Sequence, residues 1–130
     1  MHELSYCEGV LEAVLRRAGD RPVSAVGVRI GAVHRIVAQA FQQSFEIAAV
    51  GTVAEGARTE LTILPVHGHC MDCRADFHAT NPAPACPECG SLDVAVEGGD
   101  EVVLEWIAYP DTGPDRTAEQ VPEHTHEGAH

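Results

Sequence analysis

Cys70-Met71-Asp72-Cys73 and Cys86-Pro87-Glu88-Cys89 form two C-x2-C pairs, and twelve residues separate them. Each C-x2-C turn can direct two thiolates at one point while its backbone amides donate hydrogen bonds to the sulfurs. Two such turns complete a tetrahedron around Zn²⁺, and four sulfur ligands leave no open position for a substrate water. The spacing therefore predicts a structural zinc site on Cys70, Cys73, Cys86 and Cys89. It argues against ordinary buried cysteines, and no thioredoxin-like βαβ pattern supports a redox role.

The residues around the two pairs indicate a small lobe that depends on the metal. Asn81, Pro82 and Pro84 favour a loop for residues 74–85. Three histidines lie nearby in the sequence, namely His67, His69 and His78. We interpret them as solvated residues or neighbours of the zinc ligands, with replacement of a thiolate by a histidine as the alternative.

Outward from the cysteines, the hydrophobic pattern changes between helical and extended periods. Apolar residues at steps of three and four predict a first helix that ends at Gly19, with Cys7 on its core-facing stripe. A second helix is predicted from about Arg35 to Gly51. Strands are predicted at Val23–Val33, Thr59–Val66, Leu92–Val96 and Glu101–Tyr109, the last two joined by a turn at Gly98-Gly99.

This order of elements predicts an α+β fold. Two helices would cover a small three-stranded mixed or antiparallel sheet, into which a zinc-ribbon lobe is inserted. We assign residues 1–66 and 92–110 to the α/β domain and residues 67–91 to the zinc-binding insert. Residues 111–130 are acidic, contain three histidines and have almost no large apolar side chains, so we expect a disordered tail.

The composition restricts the partners and the compartment. Eight arginines and no lysine stand against twenty acidic residues, for a net charge of −12. Nucleic-acid binding is not expected, because it depends on cationic groups that neutralise phosphates, whereas handling of cations is favoured. No secretory signal or apolar run long enough for a membrane helix is evident, so we expect a cytoplasmic protein whose cysteines stay reduced.

Residues 1 to about 109 resemble the HypA/HybF family of nickel-incorporation proteins, which act in the maturation of [NiFe]-hydrogenase. The marks of the resemblance are the start Met1-His2-Glu3-Leu4, Pro65 ahead of the first cysteine pair, Cys86-Pro87-x-Cys89-Gly90, and the Gly-Asp-Glu-Val-x-Leu segment before Ile107. Arg74 departs from the family pattern, which commonly has glycine after the first pair.

The resemblance implies that His2 binds Ni²⁺, with backbone groups of Met1 and Glu3, in the α/β domain. The chemistry is consistent with this assignment. An N-terminal amine, deprotonated amide nitrogens and one imidazole can form fused chelate rings in a plane, and Ni²⁺ accepts square-planar nitrogen ligands. Glu3 could also orient the imidazole or favour the helix N-terminus.

The resemblance further implies a metallochaperone and not an enzyme. It would carry nickel and deliver it, with a GTPase of the same pathway, to the hydrogenase large subunit, and related proteins also serve urease. The tail histidines His124, His126 and His130 would either hold extra nickel or belong to a merely acidic end. The alternative function is a zinc-ribbon adaptor that binds protein and has no role with nickel.

Overall fold

The computed structural model describes residues 2–121, with side chains from Ser5 onward. Its elements, in chain order, are α1 (His2–Ala18), β1 (Ala25–Gly31), a 3-10 turn (Ala32–His34), α2 (Ala38–Ala48), β2 (Arg58–Leu64), β3 (Val66–Cys70), β4 (Asp76–Ala79), β5 (Val94–Glu97), β6 (Val102–Tyr109), β7 (Gly113–Asp115) and β8 (Glu119–Gln120). The chain divides into two compact units. The predicted α+β class, with two helices and a four-cysteine lobe, is confirmed.

The two helices of the first unit pack against each other through their apolar faces. Val10 and Val14 of α1 and Phe41 and Phe45 of α2 are fully buried. Cys7 is also fully buried, and its thiol donates a hydrogen bond to the backbone oxygen of Phe41 at 3.3 Å. The interpretation of Cys7 as a core residue is therefore confirmed.

A five-stranded sheet completes the first unit. Its order is β2-β1-β6-β7, and β8 also pairs with β6. Val26 and Val28 of β1 and Leu104 of β6 are fully buried. The predicted sheet had three strands; the structure adds β7 and β8, which lie in the segment expected to be disordered.

The segment after Tyr109 is ordered as far as Val121, unlike the predicted tail. Both short strands pair antiparallel with β6. Arginines in the last turn of α1 hold them by charge: Arg16 lies 2.8 Å from a Glu119 oxygen, and Arg17 lies 3.3 Å from an Asp115 oxygen. The acidic residues of this segment, which suggested disorder, instead form ion pairs with these arginines. Residues 122–130, with their three histidines, lie outside the described residues.

The second unit comprises Ile30–Arg35 and Ile63–Glu101. It therefore includes residues 30–35, 63–66 and 92–101, which the sequence analysis assigned to the α/β domain. Its sheet has the order β4-β3-β5, with both outer strands antiparallel to β3. Strand β4 corrects the prediction of a loop for residues 74–85. Its Phe77 ring lies directly over Gly68, where an added Cβ would meet the ring at 2.6 Å.

The two strands predicted on either side of Gly98-Gly99 are present, but they belong to different sheets. Strand β5 pairs with β3, whereas β6 belongs to the five-stranded sheet. Both glycines have positive φ, 76° and 68°, and the Gly99 oxygen accepts a hydrogen bond from Val33 N at 3.0 Å. The glycine pair therefore lies against the 3-10 turn, and an added Cβ at Gly31 would overlap the Gly99 carbonyl. Within the described residues, no helix is long and apolar enough to cross a membrane.

Candidate metal centre

The first cysteine pair closes a tight turn between β3 and β4. Cys70 N donates a hydrogen bond to Ala75 O at 2.9 Å, and Arg74 N donates to Cys70 O at 3.0 Å. Cys73 N donates to the Cys70 sulfur at 3.4 Å, as predicted for a turn that supports a thiolate. Arg74 has a φ of 69°, in the left-handed region that favours glycine.

The second pair repeats this arrangement ahead of β5. Cys86 N donates to Ser91 O at 2.8 Å, and Gly90 N donates to Cys86 O at 2.8 Å. Glu88 N donates to the Cys86 sulfur at 3.3 Å. Gly90 has a φ of 78°. The two turns therefore share their backbone hydrogen bonds and a left-handed residue after the second cysteine, and differ in which N–H donates to the first sulfur.

The two turns bring their four sulfurs together. Cys70 Sγ lies 3.6 Å from Cys89 Sγ, and Cys73 Sγ lies 3.6 Å from Cys86 Sγ. All four sulfurs lie within 4.8 Å of one another. A tetrahedral zinc with Zn–S bonds of about 2.3 Å separates its sulfurs by about 3.8 Å, so the spacing suits this ion. A four-sulfur set offers no open position for a substrate, which fits a structural role.

The ionisation of these thiols also favours a cation among them. The backbone N–H of Cys73 lowers the pKa of Cys70 to about 6. At Cys73 the Ala75 backbone N–H lowers the pKa, whereas the neighbouring Cys86 thiol and burial raise it. The net effect raises the pKa of Cys73 to about 12. Sulfurs this close repel one another as thiolates, so the four cannot all ionise without a compensating charge. A divalent cation bound among them supplies that charge.

Contacts around the sulfurs tie the two turns together. The Ser91 hydroxyl donates a hydrogen bond to the Asp72 carboxylate, which joins the second turn to the first. Asp93 N donates to Ser91 Oγ at 3.0 Å, and Met71 N donates to Asp93 O at 2.8 Å. Cys70 and Cys86 are buried, whereas Cys73 and Cys89 are exposed. One side of the cluster therefore faces solvent, where the ion can enter.

The nearby histidines have carboxylate partners. His69 Nδ1 lies 2.9 Å from Asp76 Oδ1, and His67 Nε2 lies 3.4 Å from the same oxygen. Residues 67 and 69 alternate with Cys70 along β3, so they lie on the other face of the strand. The sequence pattern did not reveal the pairing with Asp76, because β4 was not predicted.

The predicted nickel site lies at the edge of the described residues. Helix α1 begins at His2, so this residue and Glu3 stand in the first turn of the helix. Met1 and the side chains of His2 and Glu3 lie outside the described residues. The nickel assignment therefore stays a prediction.

The family model and the curated relatives identify one family. A family model described as "Hydrogenase/urease nickel incorporation, metallochaperone, hypA" matches residues 1–109. A hydrogenase maturation factor HypA from Acidithiobacillus ferrooxidans is 33% identical over 110 residues, which cover 82% of this chain and 97% of the relative. Another from Desulfitobacterium hafniense is 36% identical over 108 residues, which cover 81% and 95%. The solution structure of the Ni metallochaperone HypA from Helicobacter pylori aligns with 95% of this chain and 100% of its own, with 20% identity and a TM-score of 0.48.

Proposed function

Because the chain belongs to the HypA family, we propose that it binds Ni(II) and delivers it, with a partner GTPase, to the large subunit of [NiFe]-hydrogenase. The observation that carries the proposal is the family match over residues 1–109, which includes the four-cysteine cluster. The family description names both hydrogenase and urease; we choose hydrogenase because the curated relatives are hydrogenase maturation factors. The family consists of metallochaperones, so the prediction that the chain is not an enzyme is confirmed.

Nickel is the cargo in this proposal, and His2 is its side-chain ligand. Backbone groups of Met1 and Glu3 complete the nitrogen donors, which suit the square-planar preference of Ni²⁺. The start of α1 at His2 supports the assignment, because backbone groups at a helix N-terminus have no partner within the helix. A carrier needs such a site, since a partner's ligands must be able to displace its own.

Zinc is the resident metal in this proposal, held by Cys70, Cys73, Cys86 and Cys89. When bound, it would offset two of the four thiolate charges and fix both turns at one point. The backbone N–H groups that donate to the Cys70 and Cys86 sulfurs orient these ligands. The lobe then keeps its shape although its sheet contains only short strands.

The net charge of −12 fits a cytoplasmic handler of cations that docks basic partner surfaces. Acidic groups raise the local concentration of metal ions and steer positively charged partners by long-range attraction. The same charge opposes binding to nucleic acid.

The proposal can be tested by maturation in cells that lack their own member of this family. Wild-type protein should restore hydrogenase activity, and His2→Ala should restore at most about a tenth of it if nickel transfer depends on this ligand. His34→Gln is the matched control, because it removes a histidine far from the start of the sequence. Equal maturation by wild type and His2→Ala would reject the nickel role of His2. Failure of the wild type would instead favour a protein-binding adaptor.

A further inference from the structure

One face of the three-stranded sheet carries histidines and carboxylates on all three strands. In the antiparallel register, His67 lies opposite His78 on β4 and opposite Glu97 on β5. His69 lies opposite Asp76 on β4. Directly opposed residues point to the same side of a sheet, and alternate residues of one strand share a face. These five side chains therefore share one face, which we call the histidine face.

The polar atoms of the histidine face converge. Asp76 Oδ1 lies 2.9 Å from His69 Nδ1 and 3.4 Å from His67 Nε2. The other ring nitrogen of His67, Nδ1, lies 3.7 Å from Glu97 Oε2. The rings of His67 and His78 have their centroids 5.3 Å apart. Two imidazoles thus share one carboxylate oxygen, and a second carboxylate and a third imidazole border them.

Each of the two histidine nitrogens lies from the shared Asp76 oxygen at about the distance that separates neighbouring ligands of one ion. Imidazole nitrogens and carboxylate oxygens bind zinc at about 2.0–2.2 Å, and ligands at such lengths are about 3 to 3.5 Å apart. Imidazole suits nickel, copper and zinc, and carboxylates complete such mixed sites. The exposed fractions of the His67 and His69 side chains are 37% and 36%, so an ion can reach the ring nitrogens directly from solvent.

A shallow cavity of about 290 Å³ opens on this face, lined by His67, His69, Asp76, Ala95, Val96 and Glu97. Opposite His69 on β5 stands Ala95, whose small side chain leaves space above the rings. Cys70 follows His69 in β3, so its sulfur lies on the other face of the strand. The cavity is therefore separate from the four-cysteine cluster.

We propose that His67, His69 and Asp76 form a second metal site, which takes one divalent transition-metal ion with imidazole and carboxylate ligands. Glu97 and His78 border the ion and can complete its coordination. This proposal does not depend on the proposed function, because its ligands are different residues from those proposed for the cargo nickel.

Nickel titration of the full-length, zinc-loaded protein tests this site. All proteins carry His2→Ala, which removes the proposed cargo site, and glutamine at the three tail histidines His124, His126 and His130. We expect about one Ni²⁺ per chain in this background. Adding His67→Gln and His69→Gln should weaken that binding at least about tenfold, because loss of even a ligand's hydrogen-bond partner costs about that much affinity. His34→Gln, a histidine of the same unit whose ring contacts Asp100 O at 2.8 Å, is the matched control and should leave the affinity unchanged.

Two further measurements keep the test decisive. The zinc content must stay at one ion per chain. If the double variant loses zinc, the single variant Asp76→Asn is measured in its place, because it removes the charge of the shared carboxylate at nearly constant side-chain size. Nickel should also first perturb the amide signals of residues 67–69 and 76–78 in the background protein. Unchanged affinity in the variant that retains zinc, or first perturbation elsewhere in the chain, would overturn the proposal. If His2 proved not to bind nickel, the proposed function would fail, and the proposal of a site on the histidine face would be unaffected.

Discussion

Arg74 and Gly90 occupy the same position in the two cysteine turns, and both have left-handed backbone conformations. Each follows the second cysteine of its pair and donates its backbone N–H to the carbonyl of the first. Their φ angles are 69° and 78°. A glycine adopts this conformation readily, whereas a side chain with a Cβ adopts it at a cost of about 1–2 kcal/mol. The first turn therefore contains backbone strain that the second turn avoids.

Arg74→Gly should stabilise the cysteine lobe. Relief of the left-handed strain outweighs the greater freedom of glycine in the unfolded chain, so we expect a gain of about 1 kcal/mol in the free energy of unfolding. Chemical denaturation of the zinc-loaded protein measures it. Gly90→Ala is the mirror control: an added Cβ there meets nothing within 4 Å, so the expected loss of about 1 kcal/mol is purely conformational. A loss of stability in Arg74→Gly would contradict this account of the turn.

Gly27→Ala should destabilise the first unit. A Cβ at Gly27 in β1 would overlap the indole of Trp106 in β6, so the strand or the ring must move. Overpacking of this kind costs about 1–3 kcal/mol. Thermal unfolding followed by Trp106 fluorescence measures the loss. Unchanged or higher stability in Gly27→Ala would show that the indole does not limit the space.

Acid should weaken the attachment of the segment that follows Tyr109. The Thr117 hydroxyl and backbone N–H, with Arg17, hold the pKa of Asp115 below its usual value. The folded pKa is thus below the unfolded value of about 3.9, so the stabilisation is complete above that value and is lost as the pH falls through the folded pKa. Unfolding measured from pH 5 to pH 3 should show a smaller acid loss in Asp115→Asn than in wild type. Parallel pH profiles would exclude a role for this carboxylate.

Removal of zinc should unfold the second unit selectively. Without the ion, four adjacent sulfurs lose their common partner, while the buried contacts between α1 and α2 remain. Amide hydrogen exchange should show at least about tenfold faster exchange in β3, β4 and β5 after chelation. Cys73→Ser should lower zinc content and reproduce the effect, whereas Cys7→Ser keeps the four-sulfur cluster and should retain zinc. Unchanged exchange in the zinc-free protein would show that the lobe folds by itself.

The cysteine spacing predicted the four-sulfur cluster correctly, because a C-x2-C turn is a local structure set by its own backbone hydrogen bonds. The first helix was equally predictable from the sequence, because its apolar stripe repeats over four turns and Gly19 ends it with a φ of 61°. The structure confirms both features.

Features that depend on distant partners were not predictable in this way. Strand β4 has four residues, two of them polar, and is stabilised by Phe77 packing on Gly68 and by pairing with β3. Residues 111–121 pair with β6 and form ion pairs with Arg16 and Arg17, and the latter two lie nearly a hundred positions earlier. The separation of the two strands that flank Gly98-Gly99 into different sheets was hidden for the same reason, because a local turn signal carries no information on which sheet each strand joins.

Nickel affinity of the zinc-loaded protein, compared with and without His2→Ala, tests the central claim most directly. Both proteins carry glutamine at His67 and His69 and at the tail histidines His124, His126 and His130, so that only the proposed N-terminal site differs. We expect His2→Ala to bind Ni²⁺ at least about tenfold more weakly, with one zinc retained per chain in both proteins. Equal nickel affinity at full zinc content would contradict the assignment of His2 as the cargo ligand.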